Sequence, residues 1–99
     1  TTVLQSVAQL NSDFVVHSAR ETGDRLLKVA AAENTDPIAL AFRTILGRRP
    51  NEVEQQWCER YISEQTETWQ PTRPDEAKNL AMADMCHMLL CTNEFLYVE

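Results

Sequence analysis

The chain has 99 residues, enough for one domain with a modest core. Its 43% hydrophobic and 24% charged residues argue against disorder. With 9 basic against 15 acidic residues, a formal charge of −6, it lacks the basic face that DNA, RNA or an anionic membrane would need, and no run approaches the ~20 apolar residues of a bilayer-spanning helix.

Residues 1–10, TTVLQSVAQL, carry Val3, Leu4, Val7, Ala8 and Leu10 at roughly helical spacing, which allows a short helix. Asn11-Ser12-Asp13 breaks that pattern and offers a cap for the next element. The first long helix is predicted over 12–30, with Phe14, Val15, Ala19, Leu26, Leu27 and Ala30 as its apolar stripe. Glu21 with Arg25 and Asp24 with Lys28 form favourable i,i+4 pairs on its wet side. Gly23 sits inside this helix at a cost of ~1 kcal/mol. It marks either a close helix crossing or a tolerated glycine.

Thr35 or Asp36 caps a second helix, with Pro37 in the first turn, where its missing N–H costs nothing. Ile38, Ala41, Phe42, Ile45 and Leu46 give it one apolar face. Gly47 ends it and Pro50 prevents continuation. Asn51 through Glu54 is a capping-box arrangement, opening a third helix that runs to about residue 66. Val53, Trp57, Cys58, Tyr61 and Ile62 share one face of that helix. Residues 67–74, ETWQPTRP, read as a loop, from which Trp69 folds back as a lid over the core.

The last long helix is predicted over 75–92, with Asp75 and Glu76 at its positive end. Ala77, Leu80, Ala81, Ala83, Met85, Met88, Leu89 and Leu90 make it apolar on more than one face, the mark of a central element. Thr92-Asn93-Glu94 ends or restarts it, and Phe95, Leu96 and Tyr97 tuck back as a final turn. No strand signal competes. The expected fold is therefore all-α: one domain, a small bundle of four main helices with a short N-terminal helix ahead of them.

Few residues invite chemistry. His87 and Cys91 are i,i+4, with Cys58 as a third candidate ligand, but a closed zinc site needs four ligands and no C-x2-C exists. Cys86-His87 fails as a haem attachment because Ala83 stands where the first cysteine is required. A Cys–His nucleophile pair has no support in the spacing. Phosphate-cradling glycine motifs are missing. No catalytic residue, cofactor or metal is expected. Cys86 and Cys91, five apart on one helix, project ~140° apart and cannot bridge easily. Three reduced thiols are the simplest reading, and a bridge from Cys58 to one of the others stays open for an exported protein. Asp84, on an otherwise apolar helix, needs a partner; Arg43, Arg48 or Arg49 would supply a structural salt bridge.

Three stretches carry a resemblance. They are Leu10-Asn11-Ser12-Asp13-Phe14-Val15, then residues 39–54 (ALAFRTILGRRPNEVE), and finally residues 80–99 (LAMADMCHMLLCTNEFLYVE). Together they resemble the C-terminal region of large bacterial proteins grouped as the DUF1553, or PSD1, family, abundant in planctomycetes and often accompanied by a cytochrome-c-like domain. The third stretch is the most distinctive, although the family pattern usually has Asn at the position of Cys91. The resemblance implies that the chain is an excised fragment of a longer protein, in keeping with its start at Thr1 without Met. It also implies an exported, periplasmic or cell-surface setting. It supplies no activity and no haem site in this region. It makes Arg43, Arg48, Arg49, Asp84, His87, Asn93 and Glu94 a candidate structural network between the second helix's end and the last helix with its tail.

Two functions follow as expectations. The first is a non-catalytic helical packing or interaction module, bound to the rest of its parent protein or to another protein. It requires an exposed apolar patch, expected near residues 3–10 or the final helix. The alternative is a region lending groups to an active site shared with upstream parts of an enzyme. It requires a cavity on which His87, Asp84 or an arginine converge.

Overall fold

The computed structural model describes residues 13–98, with side chains to residue 92. The helix expected over 1–10 and the Asn11-Ser12 cap lie outside the described residues. Four helices follow in order: α1 (Asp13–Glu33), α2 (Pro37–Ala41, continuing directly into a π-helical turn over Phe42–Leu46), α3 (Glu52–Trp69) and α4 (Ala77–Val98). The fold is all-α.

α1 runs three residues beyond its predicted end because Ala30, Ala31 and Ala32 favour helix. It stops where Asn34 turns left-handed at φ 55° and the Thr35 N–H donates back to the Ala30 carbonyl at 2.9 Å. That is a Schellman closure with Asn in the glycine role. Val15, Ala19, Gly23, Leu26 and Ala30 form the buried stripe. Phe14, expected in that stripe, is 77% exposed. The two predicted ion pairs of α1 are also not formed. Glu21 pairs with His17 at 3.0 Å, and Asp24 accepts a hydrogen bond from Asn79 Nδ2 at 2.9 Å, tying α1 to α4.

Asp36 is the cap of α2: its carboxylate accepts from the Ile38 N–H at 3.0 Å. Gly47, at φ 72°, closes the π turn, and its N–H donates to the Arg43 carbonyl. A β-carbon there would meet no neighbour, but the left-handed backbone favours glycine. The predicted capping box stands at the start of α3. Glu54 N–H donates to Asn51 Oδ1 at 2.8 Å, and Asn51 N–H donates to Glu54 Oε1 at 2.9 Å.

α3 outlasts its predicted end by about one turn and takes in Trp69. Thr66 and Thr68, poor helix formers, donate their hydroxyls back to the Ile62 and Glu64 carbonyls. Pro71 then stops the helix: Gln70 still donates to the Thr66 carbonyl at 3.0 Å, and proline has no N–H with which to carry the ladder on. Trp69 is therefore the last residue of a helix and not a lid from a loop. Asp75 and Glu76 sit in the turn just ahead of α4, where Glu76 accepts from both Arg20 and Arg73.

α4 is the central strut. Ala77, Leu80, Ala81, Met82, Ala83, Met85, Cys86 and Leu89 are all buried, and both α1 and α3 pack on it. The core unites Met82, Met85, Cys86 and Leu89 with Ala19, Leu26, Ile38, Ala41, Phe42 and Cys58. Gly23 is a close crossing. A β-carbon at that position would stand 3.1 Å from the Ala83 nitrogen and 3.2 Å from its Cα. The break expected at Thr92-Asn93-Glu94 does not occur, and α4 continues to Val98. Thr92 donates its hydroxyl to the Met88 carbonyl within the same helix, so it does not cap a new one.

Candidate functional site

α3 and α4 form a helical hairpin, and the facing residues run in opposite order. Gln65 and Trp69 meet Asp84, whereas Cys58 and Trp57 lie near Leu89 and Thr92. Two sites follow along this seam. A third cavity lies across the start of α3.

The first site is a cavity of about 280 Å3 lined by Tyr61, Gln65, Asp84, His87, Met88 and Cys91. Asp84, His87 and Cys91 are spaced i, i+3, i+7 on α4, so one helix face carries all three. Asp84 takes no arginine. Its Oδ2 accepts from Gln65 Nε2 and from Trp69 Nε1, both at 2.9 Å. None of Arg43, Arg48 and Arg49 lines this cavity, and neutral donors on the facing helix satisfy the carboxylate instead. Tyr61, Gln65 and Trp69 are i, i+4, i+8 on α3, a spacing that places them on one face opposite Asp84. His87 Nε2 is shut off from solvent without a hydrogen-bond partner. The Tyr61 hydroxyl is pushed above its usual pKa by burial and then by the Asp84 charge.

The second site is an apolar groove of about 310 Å3, lined chiefly by Phe42, Leu46, Val53, Trp57, Met88 and Leu89. Val53 and Trp57 belong to the apolar face of α3. They are 75% and 46% exposed, since no described element lies over that end of the helix. Trp57 stacks on Tyr61 at 5.1 Å with a 10° interplanar angle. Arg48 borders the groove. It grips Glu54 with two hydrogen bonds of 2.8 Å and holds its guanidinium 5.6 Å from the Phe42 ring centre.

Arg43 and Arg49 line a different cavity, of about 490 Å3, with Glu33, Asp36, Asn51 and Glu52 among its other walls. The sequence-predicted network is thus divided. Arg43, Arg48 and Arg49 gather at the α2–α3 junction, while Asp84 and His87 share the α3–α4 cavity. Asn93 and Glu94 are on α4, with side chains outside the described residues.

The Arg48 hydrogen bonds, helped by the Asn51 N–H, hold the Glu54 carboxyl down to about 2, from an ordinary 4.5. A depressed folded-state pKa stabilises the fold fully above 4.5, and that contribution disappears as pH falls through 2. Thermal unfolding followed from pH 5 to pH 2 should therefore show a falling midpoint, and Glu54→Gln should flatten part of that slope. The pair is at the surface, so 0.5 M salt should shrink the effect. An unchanged slope in Glu54→Gln would show that the pair does not couple to folding.

A family described as PSD1, protein of unknown function (DUF1553), matches residues 1–62. The chain belongs to this family. The match spans α1, α2 and the first part of α3, and it includes two of the three stretches that carried the resemblance. The third, residues 80–99, lies outside it. No curated protein and no solved structure matches the chain.

In this PSD1-family domain the thiols are poor nucleophiles. Burial pushes Cys86 up to about 12 and raises Cys58 and Cys91 as well. None of the three is in a disulfide. Among the described residues, no three His, Cys, Asp or Glu side chains are grouped to hold a metal ion, and no helix is long and apolar enough to cross a membrane.

Proposed function

We propose that this PSD1-family domain is a non-catalytic packing module of a larger, exported protein, and that it docks through the groove between the α2 turn, α3 and α4. The observation that carries this reading is the exposure of Val53 and Trp57 beside Phe42, Leu46 and Met88. Aromatic anchors set in an apolar depression with a charged rim are what protein interfaces use as hot spots. The natural occupant is a segment of the same parent chain, because a module covalently linked to its partner needs little intrinsic affinity.

In the parent protein, backbone amide exchange across Val53–Tyr61 should be slower than in the 99-residue chain alone. Trp57→Glu should return it to the faster rate. Equal rates in the two settings would remove the groove from the interface.

A second reading, in which the region lends groups to an active site shared with upstream parts of an enzyme, has one observation in its favour. Asp84 and His87 line the same cavity. Against it, Asp84 is already engaged by two donors and the thiols are held protonated.

A further inference from the structure

We infer that the segment seated on the Trp57 groove is an amphipathic helix with basic flanks. The inference rests on the docking role proposed for that groove and specifies its occupant. The groove walls come chiefly from α3, α4 and the α2 turn. Helices spend their backbone N–H and C=O groups internally, so an extended segment laid there would bury amides without partners. A helix satisfies its own and presents apolar residues at i, i+3, i+4 and i+7, the form in which a helix fills an apolar groove.

The charge of the occupant is set by α3. Glu52, Glu54, Glu59, Glu64 and Glu67 are acidic on that helix, and only Arg60 is basic. Glu54 is held by Arg48. Glu52, Glu59, Glu64 and Glu67 are exposed and have no ion pair among the described residues. Val53, Trp57 and Glu64 stand at i, i+4 and i+11, one face of the helix, with Glu64 about 10 Å beyond Trp57 along the axis. A helix lying along α3 with its apolar face on Val53 and Trp57 passes Glu64 and then Glu67 within its next two turns. Lysine or arginine is attracted there and glutamate is repelled. Arg60 is the one cation on that face, and the glutamates outnumber it. The net charge of −6 adds a long-range pull on a basic segment and opposes a second copy of this chain as the occupant.

The test is a chemical-shift titration of the 99-residue chain with three synthetic helical peptides of roughly 15 residues. They share one leucine face and differ only in their flanks, which carry lysine, glutamine or glutamate. The lysine peptide should shift the Trp57 indole and the Val53–Tyr61 amides. At low salt it should bind about fivefold more tightly than the glutamine peptide, and the difference should shrink in about 0.5 M salt. The glutamate peptide should bind most weakly. Glu64→Gln combined with Glu67→Gln changes two exposed side chains and leaves the core untouched. It should cut the lysine peptide's advantage to about twofold and leave the glutamine peptide's affinity as it was. Equal affinity for all three peptides, or an advantage that the double variant keeps in full, would overturn the inference and leave the docking role of the groove standing. Binding of none of them would also overturn it, and the docking role would then be decided by the amide-exchange rates of Val53–Tyr61 in the parent protein.

Discussion

Gly23→Leu is expected to lower the unfolding free energy by about 1–3 kcal/mol or more, the range for forcing volume into a packed core. A β-carbon at position 23 would lie 3.1 Å from Ala83 N, 3.2 Å from Ala83 Cα and 3.3 Å from the Met82 carbonyl carbon. All three are backbone atoms and cannot rotate aside. α1 must lift off α4, and the lift loosens Leu26 and Ala19 from the core on either side. The Asp24–Asn79 and Arg20–Glu76 contacts, which flank the crossing, should weaken with it. Gly23→Ala separates the two effects at this site. It gains ~1 kcal/mol of helix propensity and needs only tenths of an ångström of adjustment, so its net change should be small. Urea unfolding measures both, with unchanged m-values certifying a comparable transition. A Gly23→Leu midpoint at or above wild type would show that the crossing has room to spare.

Phe42→Ala should cost about 3–5 kcal/mol. Phe42 is 3% exposed and joins Ile38, Ala41, Cys58 and Leu89 in the core. It opens the π turn and carries the Arg48 guanidinium over its ring. Its loss leaves a cavity and removes the floor of the groove. At roughly 4–8 °C per kcal/mol for a domain this size, the unfolding midpoint should fall by more than about 12 °C, which circular dichroism would follow directly. A fall of under about 4 °C would mean that the site collapses around the missing ring.

The sequence legible in advance was local. Asp36 with Pro37, Gly47, and Asn51 with Glu54 each act within a few residues, through backbone groups that every helix end leaves open. The composition of α4, apolar on several faces, identified the central element for the same kind of reason. The candidate site was less readable. Asp84 and His87 stood out as polar residues on an apolar helix. Their partners did not, because Gln65 and Trp69 lie 19 and 15 residues away in the chain. A charged pair looked the obvious answer for Asp84, yet two neutral donors on the facing helix hold it.

What the sequence determined by itself was therefore the helical class and the caps at Asp36, Gly47 and Asn51. Only the tertiary structure decided that Gly23 marks a close crossing, that Trp69 ends a helix, and that Val53 and Trp57 remain uncovered. The physical reason is one of range. Capping and propensity are settled by neighbours along the chain, while burial and hydrogen-bond pairing are settled by what another helix brings to the same place.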